Sequence, residues 1–156
     1  MPQPDHGLGP DAEPALAALL DELVPPRPEK GLPGAGGLGI GAALLRSLPG
    51  RPELAAVFGP GLAALAALLA EHGAARLSDL APPDRRALLE ALAVRAPAFV
   101  PTLAFLTFVA YYQEPRVLVA LGREPRPPYP KGYELPSFDE ALLAKVRARA
   151  PFYRRP

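Results

Sequence analysis

Proline sets the grain of this sequence: 23 of its 156 residues are proline and a further 14 are glycine. The background between them is mainly alanine and leucine. Alanine and leucine favour helix, while proline and glycine punctuate it. The combination predicts short helices with hard stops and leaves little room for strands. The sequence therefore predicts an all-α fold, a compact bundle of about five to seven short helices, with a Pro/Tyr-rich strap and a final amphipathic helix near the C-terminus.

Hydrophobic periodicity places the elements. Residues 1–13 read as a flexible leader, 14–122 as the helical core, and 123–156 as the strap plus a last helix. The first helix spans Pro14 to Val24. There Leu16, Leu19, Leu20, Leu23 and Val24 recur at helical spacing before Pro25, Pro26 and Pro28 stop the chain. A second helix leaves the glycine-rich run 31–41 and ends near Leu48. Gly59-Pro60 is expected to divide the next segment into Glu53–Phe58 and Leu62–His72, with Gly73 as the C-terminal cap. A helix over Pro83–Arg95 carries Leu88, Leu89 and Leu92 inward. Thr102–Gln113 is apolar nearly all round and is expected to be the central, most buried element. A short helix covers Arg116–Leu121. The strap holds Pro125, Pro127, Pro128, Pro130 and Pro136 with Tyr129 and Tyr133, and reads as extended polyproline-like chain. The last helix, Asp139–Ala150, has an expected capping box of Ser137 and Glu140.

Composition narrows the chemistry. The formal net charge is +1 and cysteine is absent. Disulfides, thiolate metal sites and thiol nucleophiles are thereby excluded, and no bulk field draws the chain to nucleic acid. The histidines, His6 and His72, lie far apart without metal-ligand spacing. The N-terminal segment has neither the basic start nor the apolar run of a secretory signal, and no twin-arginine pair opens it. The longest apolar stretch, Leu103–Tyr112, is shorter than the about 20 residues a bilayer requires. No transmembrane segment is expected, and the chain is expected to be cytoplasmic as synthesised.

Each candidate site competes with a plainer reading. Gly34-Ala-Gly-Gly-Leu-Gly39 matches the dinucleotide pattern GxGxxG. The residues before it, Pro25-Pro-Arg-Pro-Glu-Lys30, cannot form the buried strand that the fingerprint needs, so a close-packed turn is the better reading. Tyr111 and Tyr112 either line a pocket or pack in the core with their hydroxyls at an edge. Asp21-Glu22 reads as a solvated helix face. Lys145, Arg147, Arg149, Arg154 and Arg155 form a small basic cluster, read as a solvated face or a contact for an acidic protein partner, and no nucleic-acid partner is expected. The strap either wraps its own helices or lies on another protein.

Four blocks in order carry a family resemblance: Leu23-Val-Pro-Pro with Pro33-Gly-Ala35; Leu62-Ala-Ala-Leu65, Gly73 and Leu77-Ser-Asp-Leu80; Pro83-Asp-Arg-Arg-Ala-Leu-Leu89; and Ala110-Tyr-Tyr-Gln-Glu-Pro115. Together, over about residues 14–121, they resemble the gluconate 2-dehydrogenase subunit 3 family, the small gamma subunits of membrane-associated FAD sugar dehydrogenases. This chain looks like a divergent branch. It lacks the twin-arginine leader, and Arg116-Val-Leu-Val-Ala-Leu-Gly122 stands where the family carries Tyr-Gly-Gly-Asn. The resemblance implies a helical, non-catalytic accessory subunit that holds no cofactor or metal. It would bind and help mature a flavin-dependent catalytic subunit of the glucose-methanol-choline type, with FAD in that partner and co-export to the periplasm alongside it. No catalytic residue carries over. The partner-interface candidates are Tyr111, Tyr112, Pro115, Tyr129, Tyr133 and Phe138. The alternatives are a stand-alone helical protein binding an acidic partner or a membrane surface, and a small helical enzyme.

Overall fold

The computed structural model of the chain describes residues 11–126, 132 and 137–149. Among these residues there are seven α-helices and no strand: α1 (Ala12–Leu23), α2 (Ile40–Ser47), α3 (Pro52–Glu71), α4 (Pro82–Arg95), α5 (Phe99–Tyr111), α6 (Pro115–Ala120) and α7 (Ala144–Arg147). The all-α class is the one the proline, alanine and leucine pattern predicts. Residue contacts divide the chain into two units, 1–126 and 127–156. Residues 1–10 of the leader, and Tyr129 and Tyr133 of the strap, lie outside the described residues.

In the first unit, α1 begins at Ala12, two residues before the expected start. Pro14 then falls at the third helical position, where the N–H it lacks would have had no helical acceptor. Leu16, Leu19 and Leu20 are buried. The glycine run lies against this helix. Gly36 N donates to Asp21 Oδ1 at 2.8 Å, and Ala35 N donates to the Val24 carbonyl at 3.1 Å. A Cβ on Gly36 would stand 2.3 Å from the Ala17 carbonyl oxygen. The glycines are there because backbone packs on backbone, which is the close-packed turn expected in place of a nucleotide loop. Asp21 and Glu22 are not merely a solvated face. Asp21 fastens the loop, and Glu22 lies 3.1 Å from Arg85 of α4, with both side chains less than a third exposed.

The expected break at Gly59-Pro60 does not occur: α3 is one helix of 20 residues with Pro60 inside it. Pro60 cannot donate to the Ala56 carbonyl, but both residues lie on the exposed face, where a carbonyl without its helical donor is open to solvent and costs less than a buried one. Leu54, Phe58, Leu62, Leu65 and Leu69 continue one buried stripe past the proline, and their packing holds the helix together. The long apolar segment is this helix and not Leu103–Tyr112. With a mean hydropathy of 1.8, α3 is long and apolar enough to cross a membrane by length and composition alone. Gly73 caps it as expected, at φ 65°, with Ala74 N bonded to the Leu69 carbonyl at 3.0 Å.

α4 runs back against α3, with Leu88 and Leu92 fully buried. A bidentate pair joins the ends of the two helices, Arg95 Nη1 and Nη2 each 2.7 Å from a Glu71 carboxylate oxygen. α5 corrects a second expectation. It starts at Phe99, with Pro101 in its first turn, and only Phe99, Leu103, Thr107 and Tyr111 are buried. That is a single stripe. Val100, Leu106 and Ala110 flank it, partly buried against the core, while Phe105, Phe108 and Val109 face outward, so α5 is not enclosed on all sides. Phe99 meets Phe58 of α3 edge to face, with ring centroids 5.4 Å apart. Such a pair is worth about 0.5–1.5 kcal/mol beyond the area it buries.

The second unit contains a 3-10 turn at Glu140–Leu143 and the four-residue α7, in place of the single helix expected over Asp139–Ala150. The cap is Asp139, whose Oδ1 accepts from Ala141 N at 2.9 Å; the expected Ser137 box is not formed. Leu142 and Val146 are exposed. With these side chains uncovered, the segment gains little of the packing from which most helical stability comes.

Candidate functional site

α5 has two apolar stripes, and the fold uses only one. Pro101, Phe105, Phe108, Val109 and Tyr112 follow the spacing i, i+4, i+7, i+8 and i+11 on the outward side. Phe105 is 67% exposed and Tyr112 55%. Phe108 and Tyr112 stack at 6.4 Å between centroids. Val119 of α6 and Leu121 beyond it are also exposed, and Leu121 lies in one depression with Phe108 and Tyr112. Isolated exposed apolar residues are ordinary, but a contiguous aromatic stripe marks an interaction surface.

At the C-terminal end of that stripe is a depression of about 220 Å³. Leu23, Val24 and Pro25 contribute from the end of α1, Arg27 and Leu32 from the loop after it, Phe108, Tyr111 and Tyr112 from α5, and Leu121 from the end of α6. The loop is held by a local hairpin. Arg27 and Leu32 exchange backbone hydrogen bonds of 2.9 and 3.1 Å, and Gly31 turns the chain at φ 65°, a conformation that glycine adopts without strain. Gly122 closes α6 similarly at φ 69°, with Arg123 N donating to the Leu118 carbonyl at 2.8 Å.

The two tyrosines divide the work. Tyr111 is only 3% exposed, and its hydroxyl donates to the Pro33 carbonyl at 2.9 Å. This bond ties α5 to the loop after α1. Burial raises its phenol above the ordinary value of 10.0; neighbouring Tyr112 adds to the rise and Arg27 opposes it. Tyr111 is therefore a neutral structural group at neutral pH. The Tyr112 ring meets it edge-on at 5.3 Å and turns its other face outward.

Of the remaining candidates, Pro115 does not line this depression. Pro115 is exposed at the first position of α6. Phe138 is 65% exposed and belongs to the second unit. Tyr129 and Tyr133 are outside the described residues. His72 ends α3, with Nδ1 2.9 Å from the Leu68 carbonyl. In the second unit Arg147 lies 3.4 Å from Glu140. No three His, Asp or Glu side chains come together as a metal-binding group among the described residues. The sequence reading missed Phe105, Phe108 and Val109 as surface residues, and it missed Arg27. The spacing of Phe105, Phe108, Val109 and Tyr112 was a usable signal: it defines a complete helical face opposite Phe99, Leu103, Thr107 and Tyr111.

Fold and surface together define an all-helical protein with an uncovered aromatic face. No protein-family model, curated protein or solved structure matches the chain.

Proposed function

We propose that this protein is a non-catalytic small subunit that binds, and helps to mature or stabilise, an FAD-dependent sugar or alcohol dehydrogenase of the glucose-methanol-choline type. The observation that supports binding is the outward stripe of α5. Four large side chains, Phe105, Phe108, Val109 and Tyr112, share one helical face and are exposed to solvent. An aromatic surface of this kind gains free energy when a partner covers it, at roughly 25 cal/mol for each Å² of apolar area removed from water. Aromatic residues also dominate the energetic centres of interfaces.

The choice of partner rests on the sequence resemblance over residues 14–121. On this reading FAD and the catalytic groups belong to the partner. The chain is made as a soluble cytoplasmic protein without a membrane span, α3 serving as a core helix, and it leaves the cytoplasm only alongside that partner.

Co-expression with an FAD-dependent dehydrogenase of the glucose-methanol-choline type tests the proposal. The expected result is co-elution of the two chains and a higher FAD content of the flavoprotein than when it is made alone. Phe105→Ser with Tyr112→Ser should abolish co-elution. A flavoprotein with unchanged yield and FAD content that elutes separately would overturn the assignment.

A further inference from the structure

We propose that the depression beside Tyr112 receives an aromatic side chain of the partner protein, while Arg27 holds a carboxylate that neighbours that side chain in the partner's sequence. The inference deepens the docking reading above and rests on it.

Size comes first. At about 220 Å³ the depression falls short of the roughly 300–1,000 Å³ of small-molecule and cofactor sites. It suits one large side chain. Its walls combine the apolar or aromatic side chains of Leu23, Leu32, Phe108 and Leu121 with polar surface of nearly equal extent. Phe108 and Tyr112 also belong to the outward stripe of α5, so a chain lying along that stripe reaches the depression without changing direction.

Charge selects the occupant further. Arg27 is the single charged residue in the lining. Its backbone is committed to Leu32, but its guanidinium has no ion pair or hydrogen bond among the described residues. Its field reaches the Tyr111 phenol from the loop side. No carboxylate lines the site. Arg27 is exposed beside the aromatic wall, and its guanidinium fork matches a carboxylate in bidentate geometry. An aromatic residue adjoining Asp or Glu supplies both features at once, whereas a purely apolar segment would leave Arg27 unanswered.

The test uses the full chain and acetylated, amidated four-residue peptides, followed by amide NMR shifts. Gly-Asp-Phe-Gly is expected to give saturable shifts at Arg27, Leu32, Phe108 and Tyr112. Its Gly-Asn-Phe-Gly analogue should bind at least about threefold more weakly, as loss of one charge-assisted contact requires, and Gly-Asp-Ala-Gly should not saturate. Arg27→Gln should remove the difference between the Asp and Asn peptides and leave the affinity of the Asn peptide unchanged. Equal binding of the Asp and Asn peptides overturns the proposal. So does the absence of saturable binding by any peptide, saturation by free 3-phenylpropionate alone, or shifts centred elsewhere.

The two readings fail separately. If the flavoprotein does not co-elute but the Asp-Phe peptide binds through Arg27, the partner is wrong and the site stands. If the flavoprotein co-elutes equally with Arg27→Gln, the site is wrong and the partner stands.

Discussion

Gly61 lies directly beneath the ring of Phe99: a methyl group on Gly61 would stand 2.2 Å from the Cγ atom of Phe99. Both residues are buried, and the contact fixes how closely α5 approaches α3. Gly61→Ala should therefore force the helices apart and destabilise the protein by about 1–3 kcal/mol. Gly37, exposed in the turn before α2, has open space around it and no positive φ. Gly37→Ala should stabilise by about 0.4–1 kcal/mol through the unfolded state. Paired thermal or urea denaturation reads the opposite signs. Two substitutions of the same sign would refute the proposed contact.

Pro60 leaves the Ala56 carbonyl without its helical donor. The cost of an interior proline approaches 3 kcal/mol, lowered by the freedom that proline removes from the unfolded chain. Pro60→Ala should raise stability by about 1–2 kcal/mol and preserve the helical circular dichroism. A loss of stability would mean that the backbone conformation fixed by Pro60 is required for the packing of α3.

Tyr111→Phe removes the hydrogen bond to Pro33 and should cost about 0.5–1.5 kcal/mol. It should also change the alkaline limb. The phenol of the folded chain ionises above its unfolded value of 10.0, so folding favours the protonated form. That contribution is complete below about pH 10 and is lost as the pH rises through the folded-state value. Ultraviolet titration should show a phenol that ionises later in the folded than in the unfolded chain, and Tyr111→Phe should abolish it.

The two stripes of α5 should respond differently. Leu103→Ala, on the buried stripe, should cost about 2–5 kcal/mol. Phe105→Ser with Val109→Ser, on the outward stripe, should change stability by no more than about 0.5 kcal/mol for each site and should reduce the binding of an apolar dye. If the outward pair proved as costly as Leu103, that stripe would be part of the core.

At acid pH the Glu71–Arg95 pair makes a small contribution of predictable sign. Its hydrogen bond to Arg95 holds the Glu71 carboxyl below its ordinary value of 4.5. The stability it supplies is present above that value and is lost as the pH falls through the folded-state value. The side chains are exposed, so the effect should shrink at high salt. Glu71→Gln should remove it, giving a flatter stability profile on the acid side in low-salt buffer.

The helical class and most helix ends were legible because leucine periodicity and proline stops are local signals. α1, α4, α6 and the Gly73 cap follow from them within one or two residues. The continuity of α3 was not legible, because it depends on Phe58, Leu62 and Leu65 finding cover on both sides of Pro60, a tertiary fact. The burial of α5 was misread for the converse reason. Its apolar composition says that both faces avoid water, but not which one its own chain covers. Tyr111 and Tyr112 stood out in the sequence. Arg27 did not, because only the turn at Gly31 brings it beside residues some eighty positions later.

The cover for α3 also has a timing. Its buried stripe packs against α4 and α5, which the ribosome makes afterwards. From Glu71 to Leu103 is roughly thirty residues, about two to six seconds of synthesis at about 5–20 residues per second. During that interval a long greasy helix waits without its lid. A chaperone that shields nascent α3 should therefore raise the yield of native protein more than one that acts on the completed chain.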